Sequence, residues 1–197
     1  MILGLVTPQG AAGPQLDAAL AGRIKLVCFD VDGVLTDGGI YLGDAGGARV
    51  ELKRYDIQDG LGIKMLQQAG ILTAIITGRE SQSVELRAKE LQIDELVQDN
   101  QARKVSALRR ILQRRALDWS EVAFVGDDLP DLGVLRLVGL PVAVGNASVE
   151  AKHAARIVMN AEGGRGAVRE FCELLLRARG QWDVQVERYV ASRLEEQ

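Results

Sequence analysis

The sequence has a single histidine, only two cysteines and no surplus of basic charge. With His153 alone, a multi-histidine metal centre cannot be assembled, and His153 reads as a partly exposed helix residue rather than as part of a metal site or a Ser-His triad. Cys28 lies inside an apolar, strand-like run, so Cys28 and Cys172 read as small buried thiols in a reducing cytoplasm rather than as a disulfide. Basic side chains number 24 against 27 acidic, a formal charge of −3, which leaves no broad positive field for nucleic acid. The apolar stretch MILGLV is too short for a signal core or a membrane span, and no basic residue precedes it; this is the pattern of a cytoplasmic, soluble chain. GVLTDGG does not match the G-x-G-x-x-G dinucleotide fingerprint, and there is no internal repeat or low-complexity tract.

What is present suits one ordinary domain: 197 residues, 47% hydrophobic and 26% charged, can bury one sizeable core. Residues 1–22 read as an N-terminal arm, partly disordered, because MILGLVTPQGAAGP is uncharged and broken by proline and glycine. Residues 23–182 form the domain, and 183–197 a C-terminal tail. Within the domain short apolar runs (LVCFDV, LTAIIT, EVAFVG, LPVAVG, RIVM) alternate with helical patterns. Such near-continuous runs are typical of strands covered on both faces, so the expected fold is α/β with a doubly wound (Rossmann-like) parallel sheet. Ligands then bind beyond the carboxyl ends of the strands, where Asp30, Thr77 and Asp127 fall.

One segment breaks the rhythm. Residues 39–55, GIYLGDAGGARVELKRY, read as a β-hairpin inserted after the first strand, with Val50 and Leu52 alternating against Arg49, Glu51 and Lys53. A two-stranded ribbon is marginal alone, so its apolar face needs a partner: its own domain or a neighbouring subunit. The helix cluster of Arg109, Arg110, Arg114 and Arg115 reads as a solvated face.

Asp30 and Asp32 in FDVDGVLTDG share a side of an extended chain, and Gly33 lets the backbone turn there. In ILTAIITGRES a hydroxyl, Thr77, ends a strand before a helix whose free N–H groups suit phosphate; taken alone, Thr77 or Ser81 as a helix cap is the simpler reading. Lys104 lies at a helix start, where the dipole disfavours a cation that has no anionic partner. In EVAFVGDDLPDLGVL, Asp127, Asp128 and Asp131 are concentrated enough to call for a divalent cation, and oxygen-only ligands favour Mg²⁺.

The order D-x-D-G-V, T-G-R, lysine, G-D-D-x-x-D, each in its strand context, resembles the phosphatases of the haloacid dehalogenase superfamily. The resemblance implies that Asp30 is the nucleophile that takes the phosphoryl group. Asp32 is then the general acid and base, and Thr77 and Lys104 hold phosphoryl oxygens. Mg²⁺ is held by Asp30, the Asp32 backbone carbonyl and Asp127, with Asp128 and Asp131 behind them. An ordinary carboxyl, pKa ~3.9, is ionised at neutral pH, so Asp32 is expected to be crowded by carboxylates.

The 45 positions from Asp32 to Thr77 and the 27 from Thr77 to Lys104 leave no room for a cap domain (77 − 32 and 104 − 77). DVDGVLTDGGIY, DGLGIK, ITGRES and GGRGAVREFCELLLRARG are similar to a capless, homotetrameric branch. Its members act on an eight-carbon 2-keto-3-deoxy sugar acid phosphate in lipopolysaccharide precursor synthesis, with the hairpin at the tetramer centre. That branch implies a carboxylate-bearing substrate, for which Gly78, Arg79 and Arg165 are candidate contacts; GGRG equally reads as a turn into a helix. A nine-carbon sugar acid phosphate is the competing substrate, and a non-turnover phospho-acceptor or sugar-phosphate binder the competing class. DNQARK departs from the branch at Asn100, where glycine is expected, and at Arg103, where an acid is expected. Gln58 stands where arginine or leucine is usual, and the tail beyond Trp182 has no counterpart.

Overall fold

The structure, a computed structural model, describes residues 13–194; the first twelve residues of the expected arm lie outside it. Six parallel strands form the central sheet: β1 (Leu26–Phe29), β4 (Leu72–Thr77), β5 (Glu95–Gln98), β6 (Val122–Gly126), β7 (Leu140–Ala143) and β8 (Ile157–Val158), in the order β5-β4-β1-β6-β7-β8. Every residue of β1 and β6 is buried, which is why these runs are apolar throughout instead of alternating. The expected α/β doubly wound sheet is therefore the fold observed.

The chain leaves β1 toward β4 and β5 on one side, then crosses to β6, β7 and β8 on the other. β1 consequently lies at the switch point, with its carboxyl end open between two diverging connections. Helices α2 (Ile57–Gln68), α3 (Gln82–Leu91) and α7 (Ala167–Ala178) pack together on one face, and α4 (Lys104–Arg115), α5 (Leu132–Leu135) and α6 (Val149–Ala154) on the other. Phe29, Phe124 and Phe171 anchor the core, each fully buried. Cys28 and Cys172 are buried free thiols. Among the described residues no helix is long and apolar enough to cross a membrane.

The hairpin consists of β2 (Tyr41–Ala45) and β3 (Ala48–Leu52), paired in a separate two-stranded sheet. Only the Val31–Leu35 turn and this hairpin lie between β1 and α2, and α3 alone links β4 to β5, so among the described residues no cap covers the strand ends. Tyr41, Leu42 and Leu52 stay exposed on it.

Two segments are more ordered than the sequence patterns suggest. Ala18–Arg23, which spans the end of the expected arm and the first residue of the domain, is a short helix, α1, capped by Asp17 and anchored by buried Leu20 and Ala21. The tail is a helix, α8 (Trp182–Leu194). Trp182 and Gln185 are buried there, with Val186 and Tyr189 packed against the core. That i, i+3, i+4, i+7 spacing is the helical signal the tail carried. Arg114 and Arg115 both pair with Glu95, at 2.7 and 2.8 Å, while Arg109, Arg110 and His153 are exposed.

Candidate active site

At the carboxyl end of β1, Asp30 donates its N–H to Val125 O on β6 at 3.0 Å. The chain then makes a wide turn, Val31–Leu35, closed by the Thr36 N–H on Val31 O at 3.0 Å. Gly33 holds φ 88° in that turn, and a Cβ there would overlap Asp127 Oδ2. Only glycine both takes this backbone and lets the β1 and β6 loops touch. A second glycine contact fixes the same turn from the far side. A Cβ at Gly163 would overlap the Gly33 carbonyl oxygen, while Gly164 N–H donates to Val34 O at 2.9 Å. GGRG thus serves close backbone packing. Arg165 itself points out, with more than half of its side chain exposed and its guanidinium 3.8 Å from Glu162, away from the residues lining the catalytic cavity.

That cavity, about 250 Å³, is lined by Asp30, Asp32, Thr77, Gly78, Arg79, Ala102, Lys104, Asp127, Asp128 and Pro130. Residues from three strand ends and a helix start, up to 100 positions apart (130 − 30), are brought together. Thr77 is buried at the end of β4. Ser81 takes the N-cap position of α3 without making the capping bond, and its hydroxyl faces Glu51.

Lys104 has the anionic partners that its place at a helix start demands: Asp30 at 2.9 Å and Asp131 at 2.6 Å, all three buried. Burial alone would lower its pKa, but the two carboxylates outweigh it and hold the ammonium charged. Asp131 is fully engaged, since its other oxygen accepts from the N–H groups of Asp127, 2.9 Å, and Asp128, 3.3 Å. It shapes the loop, whereas Asp128 is exposed.

Asp30, Asp127 and Asp131 place carboxylate oxygens within 4.8 Å of one another. With no cation present, burial followed by the charge of Asp131 pushes Asp30 up to about 7 against the pull of Lys104. Burial and Asp30 push Asp127 up to about 8. Asp127 Oδ1 is buried and has no hydrogen-bond partner. Since Asp131 is already spoken for, the free donor oxygens belong to Asp30 and Asp127, and a hard divalent cation fits them.

The surroundings of Asp32 correct the expectation that carboxylates crowd it. Its neighbours are cations: Lys53 pairs with Oδ1, and Arg79 Nε lies 3.7 Å from Oδ2. The crowding falls on Asp30 and Asp127 instead, because the wide turn separates Asp32 from them. Glu51 comes from β3 and Lys53 from the residue just beyond its end, and neither stood out in the sequence. Two opposite charges at i and i+2 of an extended segment, facing the same side, were the available signal. Gln58 is exposed on the first turn of α2, outside the cavity. In the lysine loop the left-handed residue is Ala102, φ 50°, two positions beyond Asn100, and Arg103 braces the loop through Asp99 at 3.0 Å.

A doubly wound sheet whose switch point gathers three carboxylates, a hydroxyl and a buried lysine defines an α/β protein with a site suited to an anionic ligand and a cation. A family model described as haloacid dehalogenase-like hydrolase matches residues 97–170. The 3-deoxy-D-manno-octulosonate 8-phosphate phosphatase of Salmonella typhimurium is 44% identical over 179 residues, covering 91% of this chain and 93% of its own. That of Escherichia coli K12 is 46% identical over 165 residues, 84% and 86% of the two chains. The crystal structure of the Moraxella catarrhalis phosphatase of the same name, in complex with magnesium, phosphate and KDO, superimposes with a TM-score of 0.82. It is 40% identical and covers 87% of this chain and 97% of that one. This chain belongs to the haloacid dehalogenase-like hydrolases, in the family of the 3-deoxy-D-manno-octulosonate 8-phosphate phosphatases.

Proposed function

We propose that this chain hydrolyses 3-deoxy-D-manno-octulosonate 8-phosphate to the free sugar acid and phosphate, with Mg²⁺, in lipopolysaccharide precursor synthesis. The observation that carries the reading is the meeting of Asp30, Asp32, Thr77, Lys104 and Asp127 in one open cavity, in a chain that covers nearly the whole length of phosphatases bearing that name.

An Asp30 oxygen attacks phosphorus, the bond to the sugar oxygen breaks, and Asp32 delivers a proton to that oxygen. Asp32 then takes a proton from water, whose oxygen bonds to phosphorus as the bond from phosphorus to Asp30 breaks, which releases phosphate and restores the Asp30 carboxylate. The arriving phosphoryl dianion supplies next to Asp32 the negative charge that the free chain does not place there. Lys104 Nζ has three N–H donors and commits two to Asp30 and Asp131, leaving one for a phosphoryl oxygen beside Thr77. Asp30, Asp127 and the Asp32 carbonyl would hold Mg²⁺, which offsets the repulsion between carboxylate and dianion. Arg79 is at hand for the substrate's own carboxylate, whereas Arg165 would need a neighbouring chain to meet it.

The test is a phosphate-release screen over sugar phosphates, including eight- and nine-carbon keto acids. Turnover is expected for the eight-carbon acid and is expected to fall to background in chelator and return with Mg²⁺. A preference for the nine-carbon acid would change the substrate, and a single stoichiometric phosphorylation without release would make the chain a phospho-acceptor.

The exposed Tyr41, Leu42 and Leu52 support assembly through the hairpin, and a homotetramer is the form proposed. Solution mass is expected near four times 21.3 kDa. A monomer with full activity would overturn it.

A further inference from the structure

Asp32 is held in a closed ring of charge that begins on the hairpin. Lys53 pairs with Asp32 Oδ1 and lies 3.6 Å from Glu51 Oε1; Arg79 closes the circuit, 3.1 Å from Glu51 Oε2 and 3.7 Å from Asp32 Oδ2. Both oxygens of Asp32 are therefore engaged, each by a different cation. The members are unequal: the Lys53 side chain is fully buried, while about half of the Arg79 side chain reaches solvent. A wholly buried ammonium persists only where carboxylates face it, and Lys53 faces two. Glu51 and Lys53 also line the cavity of about 540 Å³ between β3 and α3, so the ring forms the wall between that space and the catalytic cavity.

We infer that Lys53 is a positioning residue for the reaction: it fixes the Asp32 carboxylate in the orientation that meets the leaving oxygen. The inference rests on the phosphatase reading above. The geometry accounts for the choice of Lys53 within the ring. Without it, Glu51 and Asp32 face each other as two anions bridged only by Arg79, which is half exposed and reaches Asp32 at 3.7 Å. The Asp32 carboxylate then turns away, and proton delivery fails although Asp30, Lys104 and Asp127 remain where they were. The role extends the catalytic machinery to an element outside the central sheet and makes hairpin position a condition of turnover.

The experiment exploits the fact that only a poor leaving group needs a proton. With Mg²⁺ present, wild type, Lys53→Met, Lys53→Arg and Glu51→Gln are compared on the sugar acid phosphate, whose leaving group is an alkoxide, and on p-nitrophenyl phosphate, whose leaving group departs as an anion. Loss of an acid–base contribution is ~10²–10⁴-fold. Lys53→Met is accordingly expected to lose about 10²-fold or more in kcat on the sugar acid phosphate, with KM little changed, and only a few-fold on p-nitrophenyl phosphate. Methionine keeps the apolar stem in place. Lys53→Arg is expected to recover at least tenfold of the loss, and Glu51→Gln to show the same substrate dependence with a smaller loss. Equal losses on both substrates, a change confined to KM, or no rescue by Lys53→Arg would overturn the inference. If Lys53→Met does not fold, Glu51→Gln carries the same comparison. Wild-type silence on every sugar acid phosphate would overturn the phosphatase reading itself, and this inference with it.

Discussion

Asp30→Asn is expected to abolish phosphate release, by at least ~10³-fold in kcat, while the cation-free protein becomes more stable toward heat at pH 8. The two outcomes come from one side chain. Among the described residues, its carboxylate is the buried one that both borders the cavity and touches Lys104, at 2.9 Å, and an amide in its place forms no acyl phosphate. The stability gain follows from the same crowding that suits a cation. Asp30 is raised to about 7 and Asp127 to about 8 from a usual 3.8, so each binds its proton more tightly folded than unfolded. Stability from a raised carboxyl is present below the unfolded pKa and is lost as pH rises through the folded one. The cation-free wild type should therefore weaken between about pH 4 and pH 8. Asp30→Asn removes one of the two titrating groups and the charge that raises Asp127 next after burial, which flattens the profile. Lys104 keeps Asp131 as a partner at 2.6 Å, so no buried cation is left alone. Thermal melts in chelator across that pH range, set beside phosphate release with Mg²⁺, separate lost chemistry from lost folding. A variant that is inactive and also less stable at pH 8 would refute the account of the crowding.

How far the sequence shows this arrangement depends on what each residue faces. Strands buried on both sides advertise themselves as unbroken apolar runs, and Asp30, Thr77 and Asp127 are legible because each interrupts such a run at its end. The hairpin was legible as a hairpin, but the alternation of Val50 and Leu52 with Glu51 and Lys53 does not say which face meets the catalytic loop. The lysine that faces Asp32 therefore went unread, and carboxylates were expected in its place. In GGRG it is Gly163 and Gly164 that form the contact within the chain, packing backbone on backbone against the turn at Gly33. No side-chain pattern reports such a contact. The tail carried a helical spacing, but not the surface that its apolar face meets. Its apolar face is short, and Trp182 completes it by lying between Arg169 and Arg177, 5.1 and 5.0 Å from their guanidinium carbons.

Lys104→Met should be the most damaging single change to the fold of the site. The ammonium is 3% exposed, Asp131 is wholly buried, and Asp30 is nearly so, so the substitution leaves two carboxylates facing each other with little access to water. Removing one partner of a buried ion pair costs ~3–5 kcal/mol, because the remaining charge is uncompensated. In a domain of this size that corresponds to a fall in Tm of roughly 10 °C in chelator. Methionine matches the lysine stem in length and apolar character, which keeps the loss electrostatic rather than volumetric. Addition of Mg²⁺ is expected to restore part of the Tm, because a cation between Asp30 and Asp127 offsets some of the exposed repulsion, yet activity should stay down by about 10²–10³-fold, the usual effect of deleting one charge-stabilising donor. The two recoveries are separable since Asp30 and Asp127 would hold the cation, whereas Lys104 pairs with Asp131, whose other oxygen holds the Asp127 and Asp128 amides. Without the lysine that loop loses its anchor, so the phosphoryl group would meet a cation in place and a loop out of place. An unchanged Tm in chelator would show that Asp131 has another partner for its charge, and full recovery of activity with Mg²⁺ would remove Lys104 from phosphoryl binding.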